Sequence, residues 1–174
     1  MKLPDPRSFP YRFLRRFTLP PRIHWLAAKL VNDRFLIGVA GIIHDSEGRL
    51  LLFHHTYRRR HPWGLPGGWM MRGESPLEAL EREVREESGM AVHAERLLLI
   101  GTTSDRAKLE FVVQARVIDA TFRPSREVSE ADWYPTDQLP PLPSFHRIIL
   151  AQVARLSPGE VGWYTAPWII TDRS

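Results

Sequence analysis

Cysteine is absent from the 174-residue chain. Disulfide bonds, thiolate metal sites and catalysis by a thiol nucleophile are therefore all excluded. No apolar run approaches the roughly 20 residues that span a bilayer, and no apolar stretch with a small-residue cleavage site follows the first arginines. We therefore expect a protein that is neither membrane-spanning nor secreted, and we expect it in the cytoplasm.

Lysine is scarce, because only Lys2, Lys29 and Lys108 occur and the basic charge is otherwise arginine. The net charge is +4 and the sequence pI is about 9.8. Such a balance suits an anionic substrate, a nucleic acid or an anionic membrane surface. Since the arginines are scattered and form no single basic block, the favoured interpretation is a solvated basic surface, and a nucleic-acid face is the alternative.

The composition divides the chain into an appendage and a main domain. An apolar content of 43% with 25% charged residues is ordinary for a folded chain of this length. The first 34 residues are rich in proline and arginine and contain one predicted short helix, from about Ile23 to Asn32. We predict an N-terminal appendage over residues 1–34 and one main domain over residues 35–174.

Strand-like runs begin at Phe35. An Asp-Ser-Glu-Gly turn at Asp45–Gly48 joins the first two runs into a predicted hairpin. A loop rich in arginine, proline and glycine follows at Tyr57–Gly73. The other predicted elements are strands at Phe35–Ile43, Arg49–Phe53, Arg96–Ile100, Leu109–Val117 and Ala131–Tyr134, and an amphipathic helix at Ser144–Leu156.

A helix with explicit end signals is predicted from Pro76 to Ser88. Ser75 is the N-cap, Pro76 takes the first helical position, and Glu78 completes a capping box. Gly89 follows the last turn, where a left-handed residue ends many helices. These signals predict the bounds of this helix more sharply than those of any other element.

Three carboxylates share one face of this helix. Glu83, Glu86 and Glu87 are spaced i, i+3 and i+4, which places them within reach of a common point. The face is either a solvated acidic surface paired with Arg82 and Arg85, or a cation site. Because oxygen ligands without Cys or His favour a hard divalent ion, the cation would be Mg²⁺ or Mn²⁺, which normally act with phosphate groups.

A longer pattern around the helix favours the cation site. Its fixed positions, in order and with spacings of five, seven, one and one residues, are Gly68, Glu74, Arg82-Glu83-Val84, Glu86-Glu87 and Gly89-Met90. This resembles the Nudix box, G-x5-E-x7-R-E-U-x-E-E-x-G-U with U bulky and apolar, at every specified position. The resemblance covers about Phe35 to Leu156, and includes Leu65–Gly68 before the box and Ala131–Tyr134 with Leu139-Pro140 after it.

The Nudix resemblance implies a fold and an activity. The implied fold is an α/β/α sandwich with a mixed sheet and a catalytic loop-helix-loop. The implied reaction is hydrolysis of a phosphoanhydride bond in a nucleoside diphosphate linked to another moiety, such as a nucleotide sugar, an ADP-ribose-like compound or a nucleoside triphosphate. The products would be a nucleoside monophosphate and a phosphorylated leaving product, and the reaction would require Mg²⁺ or Mn²⁺.

The resemblance also implies roles for individual residues. Glu86 and Glu87 would be the main metal ligands, and Glu83 would be a ligand or would orient the attacking water. The backbone carbonyl of Gly67 would complete the ligand set. The positions with a structural role would be Gly68, Glu74, Arg82 and Gly89, with Glu74 and Arg82 forming an ion pair between loop and helix.

The general base stays open between the helix and a later loop. Glu127 lies six residues before Trp133, a spacing at which some members resembling the mutator-type pyrophosphohydrolases place an extra catalytic or metal-binding carboxylate. Glu130 is the second choice. A solvated loop acid beside Arg126 is the alternative interpretation of Glu127.

Residues before the box are predicted to bind substrate. Arg58 and Arg60, in a run with Arg59, would hold the substrate's distal phosphate or terminal group through bidentate guanidinium contacts, with a solvated loop as the equal alternative for each. Trp63 would stack on a base or ribose, as would Trp69, with packing beside a tight turn as the alternative. No metal-ligand spacing connects the nearby histidines, His54, His55 and His61.

A homodimer is the predicted assembly, because the apolar positions of the appendage require a surface to cover them and two-fold symmetry is the commonest arrangement. Contact of Tyr11–Phe17 with an anionic membrane is the alternative. The predicted partner is a small nucleotide. Two other functions stay open: pyrophosphohydrolysis at RNA 5′ ends, and nucleotide sensing without catalysis.

Overall fold

The computed structural model describes residues 35–103 and 108–166. These ranges belong to the second of two units into which the chain divides, residues 35–174. The predicted appendage over residues 1–34, with its helix at Ile23–Asn32 and its segment Tyr11–Phe17, lies outside the described residues.

One sheet and two helices form the described part of the chain. Numbered in chain order, the strands are β1 (Leu36–His44), β2 (Leu50–His55), β3 (Trp63–Gly64), β4 (Gly67–Trp69), β5 (Ala91–Thr103), β6 (Lys108–Asp119), β7 (Val128–Tyr134) and β8 (Gly162–Ala166). The helices are α1 (Pro76–Ser88) and α2 (Ser144–Val153). Within these ranges, neither helix has the length and apolar character to cross a membrane.

The sheet is mixed. Its strands follow the order β3-β2-β1-β6-β5-β8, with β4 paired to β1 and β7 paired to β2. β1 and β6 are parallel, in register from Leu36 beside Lys108 to His44 beside Arg116, and β5 and β8 are also parallel. The remaining pairings are antiparallel. Because successive side chains of a strand point to opposite faces, the central strands contribute to two separate cores.

Each face of the sheet is covered by one helix. Val39 and Ile43 of β1 pack in one core with Leu80 of α1, whereas the intervening Ile42 packs in the other core with Ile149 of α2. All five side chains are at most 2% exposed, and burying each stabilises the fold by about 1.5–3 kcal/mol. The arrangement is an α/β/α sandwich, which confirms the predicted fold class.

Several bounds differ from those that the sequence predicts. β5 begins at Ala91 rather than Arg96, and α2 ends at Val153 rather than Leu156. The predicted loop Tyr57–Gly73 contains β3 and β4, whose two and three residues are too short to show a periodic pattern. β8 is absent from the predicted set, because Gly162–Ala166 forms a strand only by pairing with the distant β5.

Candidate active site

The ends of α1 are fixed by local hydrogen bonds. The Ser75 hydroxyl accepts from the Glu78 backbone N–H at 3.3 Å, and the Ser75 N–H donates to the Glu78 carboxylate at 2.8 Å. Pro76 occupies the first helical position, and Gly89 ends the helix with a φ of 70° while its N–H donates to the Arg85 carbonyl. α1 therefore has the predicted bounds, and the positions of its acidic residues follow from them.

Arg82 ties α1 to the loop that precedes it. Its Nε and one terminal nitrogen bind the two carboxylate oxygens of Glu74 at 3.0 and 2.7 Å, and the same terminal nitrogen donates to the Trp69 carbonyl at 2.9 Å. The backbone N–H of Met71 also donates to Glu74. Hydrogen bonds from Arg82 and then from Met71 lower the pKa of the Glu74 carboxyl. This paired geometry suits the structural role that the resemblance implies for Glu74 and Arg82.

The other terminal nitrogen of Arg82 binds two of the three helix acids. It lies 2.9 Å from Glu83 and 3.1 Å from Glu86. The Glu83 side chain is 14% exposed and the Glu86 side chain 58% exposed. In the described ranges, no three His, Cys, Asp or Glu side chains are grouped so as to hold a metal ion. The ion pairs of Arg82 with Glu83 and Glu86 hold these two carboxylates against its guanidinium, and this explains why Glu83, Glu86 and Glu87 do not converge on one point.

Glu87 is the acid that Arg82 does not reach, and it is only 7% exposed. One carboxylate oxygen is buried without a hydrogen-bond partner among the described residues. Burial, and then the charges of Glu83 and Glu127, raise the pKa of Glu87 to about 8. The backbone N–H of Gly67 and the charge of Arg58 act in the opposite direction. An added cation at this carboxylate would remove the electrostatic cost of its negative charge.

Two glycines bring β4 against the acids. Gly67 has a φ of +146°, and a Cβ there would clash with the Val39 carbonyl. A Cβ at Gly68 would clash with the Glu83 carboxylate, which lies over the strand at this position. Gly67 therefore requires glycine, whereas a side chain at Gly68 would displace the Glu83 carboxylate. The backbone of Gly67 lies close enough to Glu87 to lower its pKa, and the predicted ligand role of the Gly67 carbonyl stays a prediction.

Glu127 lies at the same site, although it is far away in sequence. Its backbone carbonyl accepts from the Thr56 N–H at 2.9 Å, which fixes the loop before β7 beside the end of β2. The charge of Glu127 is one of those that raise the pKa of Glu87. Glu130 pairs with His54 within the β2–β7 ladder instead. Of the two candidate bases outside the helix, Glu127 is the one that contributes to the electrostatics of Glu87.

Arg58 is the member of the arginine run that enters the site. It is partly buried, its guanidinium lies over Gly64, and its positive charge lowers the pKa of Glu87. Its central guanidinium carbon also lies 5.5 Å from the centre of the Tyr57 ring. Arg59 and Arg60 are exposed. Arg58 is therefore placed near the acids, whereas Arg60 lies on the protein surface.

The two tryptophans of this region have different surroundings. Trp63 packs edge-on against His54 at 5.2 Å and Tyr134 at 5.3 Å, measured between ring centres, and it is partly buried in the core that contains α2. Trp69 is 52% exposed. The contacts of Trp63 are those of a packed ring, and its predicted stacking on substrate stays a prediction.

Two buried histidines lie close to Arg58. His146 of α2 accepts a hydrogen bond from the Leu65 N–H at 3.0 Å through Nδ1 and is 8% exposed. Burial lowers the pKa of His146 well below its ordinary value, and burial with the charge of Arg58 lowers the pKa of His55 to about 3. His146 is not among the site residues predicted from the sequence, since a lone histidine in an amphipathic helix carries no motif.

Comparison with known proteins gives one family. The NUDIX domain matches residues 34–153. The human 8-oxo-dGDP phosphatase NUDT18 is 33% identical over 122 residues, which are 67% of this chain and 38% of that protein. The ADP-ribose pyrophosphatase of Methanocaldococcus jannaschii is 28% identical over 127 residues, 71% of this chain and 75% of that protein. The chain thus spans well under half of the human relative.

Solved structures show the same fold. A NUDIX hydrolase from Nitrosomonas europaea superposes with a TM-score of 0.67 and 18% identity, over 78% of this chain and 81% of that one. A UDP-X diphosphatase superposes with a TM-score of 0.62 and 24% identity, over 90% of this chain and 85% of that one. At these identities the likeness concerns the fold alone.

Proposed function

The chain belongs to the NUDIX domain family, and from this premise we propose that it is a Mg²⁺-dependent hydrolase of nucleoside diphosphate derivatives. The bond cleaved is a phosphoanhydride, and water is the nucleophile. The observation that carries the proposal is Glu87, a buried carboxylate with an unpartnered oxygen among the described residues, on a helix with a complete Nudix box. Nudix hydrolases in general use divalent metal ions.

The oxygen donors present are of the kind that a hard divalent ion prefers, although the three acids of α1 do not converge on one point in the described residues. Glu87 supplies a buried carboxylate that lacks a neutralising partner, and Glu83 and Glu86 lie one turn and one residue away on the same helix. The carbonyl of Gly67 is the proposed backbone ligand beside them. When bound, Mg²⁺ or Mn²⁺ would neutralise phosphate charge and lower the pKa of a bound water.

The chain's own residues position the reactants. Arg82 holds Glu83 and Glu86 at one edge of the site, and its contact with Glu74 keeps the loop fixed against the helix. We propose Glu127 as the base that accepts the proton of the attacking water. Glu127 is exposed on its loop, and its charge raises the pKa of Glu87, which places it near the acids of α1. Arg58, whose positive charge lowers the pKa of Glu87, is the proposed contact for substrate phosphate.

A substrate panel tests the proposal. The full-length protein would be assayed with Mg²⁺ and with Mn²⁺ on 8-oxo-dGDP and ADP-ribose, the substrates named for its relatives, together with UDP-sugars and nucleoside triphosphates. We expect cleavage of at least one nucleoside diphosphate derivative to a nucleoside monophosphate, or of a nucleoside diphosphate such as 8-oxo-dGDP to its monophosphate and phosphate. Absence of turnover on every compound with both metals would overturn the proposal and favour a nucleotide-sensing module.

Matched variants separate this site from a contaminating activity. Glu87→Gln should lower turnover by about two orders of magnitude or more. Glu95→Gln, which removes an exposed carboxylate paired with Arg116 on β5 and β6, should retain turnover. Retained turnover in Glu87→Gln would place the activity elsewhere. Triphosphorylated RNA belongs in the same panel, because Arg59 and Arg60 are exposed beside the site and could contact a nucleic-acid backbone.

We also propose that the protein is a homodimer assembled through residues 1–34. The support is the apolar content of that segment in the sequence, which includes Trp25, Leu26 and Leu30. Light scattering on the full chain and on a chain that begins at Asn32 would test it. A full-length monomer that sediments with anionic vesicles would contradict the dimer, and a dimer that dissociates on truncation would support it.

A further inference from the structure

A second polar cluster lies on the face of the sheet that α2 covers. The Lys108 ammonium lies 5.1 Å from the centre of the Trp69 ring and 4.8 Å from the centre of the Phe145 ring. Two aromatic rings thus flank one cation, and we call this arrangement the aromatic slot. At these distances the face of each ring attracts the ammonium. Because Trp69 is 52% exposed, its ring offers a flat ligand a surface for stacking.

A buried carboxylate forms the base of the aromatic slot. Glu110 is 7% exposed, and its carboxylate lies 2.6 Å from the Lys108 ammonium. It lies flat over Gly38 of β1, where any Cβ would meet its oxygens. A buried ion pair contributes little to stability in comparison with an apolar pair of the same size. The pair therefore requires another explanation, and ligand recognition is one that its position supports.

A third polar atom lies beside this pair. The hydroxyl of Tyr164 on β8 is buried and has no hydrogen-bond partner in the described ranges. Its ring covers Gly101 of β5, the neighbour of Glu110 in the β5–β6 ladder. Because an unpaired buried hydroxyl is unfavourable, a ligand that hydrogen-bonds to this atom removes that cost.

The aromatic slot is connected to the candidate active site through β4. Trp69 directly follows Gly67 and Gly68, and its carbonyl accepts the hydrogen bond from Arg82. Trp69 also lines a groove of about 420 Å³ together with Met71 and Glu74, which is within the size range of small-molecule sites. β4 thus places the Trp69 ring next to the loop that Arg82 and Glu74 hold against α1.

We propose that Trp69, Phe145, Lys108 and Glu110 bind the base of the substrate and select guanine. This inference rests on the proposed nucleotide hydrolysis and extends it to the identity of the base. The base enters between the two rings, and the Lys108 ammonium moves on its flexible four-carbon stem to the edge of the base. Glu110 then meets the same edge from the floor of the slot.

The choice of guanine follows from donors and acceptors. A carboxylate accepts from two adjacent N–H groups, and guanine presents its N1–H and 2-amino group side by side. The neighbouring 6-carbonyl accepts from an ammonium such as Lys108. Adenine and cytosine present an unprotonated ring nitrogen where guanine has N1–H, so Glu110 would face a second acceptor. Uracil has one N–H between two carbonyls and offers half of the contact.

Equilibrium binding of nucleoside monophosphates tests the proposal without hydrolysis. Tryptophan fluorescence of the full-length protein would be titrated with GMP, AMP, CMP and UMP. We expect GMP to bind about 10- to 100-fold more tightly than the other three, as one or two hydrogen bonds to a charged group would give. Glu110→Gln should remove this preference, and Glu95→Gln on the exposed side of β5 should keep it.

The outcomes separate this proposal from the proposed function. Equal affinity of the parent protein for the four nucleotides, or a guanine preference that survives in a folded Glu110→Gln protein, would overturn the base site even if hydrolysis is observed. A guanine preference without hydrolysis of any compound would support the base site and overturn the hydrolase. If Glu110→Gln unfolds, Lys108→Gln is the second variant, and it should also lower the preference for GMP.

Discussion

Replacing Glu87 with glutamine should stabilise the metal-free protein while removing its activity. The pKa of the Glu87 carboxyl is about 8 in the folded protein, against an ordinary value of 4.5. Between these two values the folded state binds the additional proton, so this group lowers stability progressively as the pH rises from about 4.5 to 8. At pH 7 the cost is about 3 kcal/mol. The glutamine of Glu87→Gln has the same shape but is always neutral, so the variant does not have this loss of stability.

Urea unfolding in EDTA measures the effect. At pH 7 the free energy of unfolding of Glu87→Gln should exceed that of the parent by about 3 kcal/mol, and at pH 5 the difference should fall below about 1 kcal/mol. Glu86→Gln is the matched control, since its carboxylate lies one residue away but is 58% exposed. Loss of its exposed contact with Arg82 should change the free energy of unfolding by at most about 1 kcal/mol.

Activity and metal binding complete this test. Both variants should lower kcat by about two orders of magnitude or more, corresponding to about 2.7 kcal/mol of lost transition-state stabilisation. Added Mg²⁺ should raise the free energy of unfolding of the parent but not that of Glu87→Gln, because only the parent binds the ion in its folded state. A Glu87→Gln protein no more stable than the parent at pH 7 would refute the reasoning.

Three further substitutions have defined outcomes. Arg82→Lys should lower the free energy of unfolding by about 1–3 kcal/mol in urea, because an ammonium cannot bind both oxygens of Glu74. Gly68→Ala should lower kcat at least about tenfold, since the methyl group displaces the Glu83 carboxylate. The folded protein keeps His146 neutral, so the parent loses stability as the pH falls below 6.5. His146→Asn, which retains an acceptor near the Nδ1 position, should reduce that loss by up to about 1.4 kcal/mol per pH unit, measured by urea unfolding at pH 5, 6 and 7.

Local signals explain why α1 has its predicted bounds. The capping box of Ser75 and Glu78, the proline at the first position and the left-handed Gly89 all act within one or two turns of the chain. The order of the acids within the helix then follows from its period. Sequence could therefore predict which residues form the acidic face and where that face begins and ends.

The contrast among the three acids depends on tertiary contacts. Nothing in the spacing of Glu83, Glu86 and Glu87 distinguishes a buried acid from an exposed one, because the difference comes from β4 and from the loop that carries Glu127. The same holds for Glu110, which appears in the sequence as one polar position in a strand. Its burial arises from its pairing with β1 and β5 and from the glycine beside it.

Arg82 neutralises two of the three acids of α1 but not the third. For this reason the affinity of the protein for Mg²⁺ and the stability of the metal-free protein should depend on the same charges. Glu83 and Glu86 are already paired with Arg82, so a cation gains most at Glu87, where burial and the charge of Glu127 oppose ionisation. Removing one of these opposing charges should therefore stabilise the metal-free protein and weaken its affinity for Mg²⁺. Glu127→Gln tests this link by urea unfolding in EDTA and by calorimetric titration with Mg²⁺. An unfolding free energy that falls, or an affinity that rises, would contradict the link between Glu127 and Glu87.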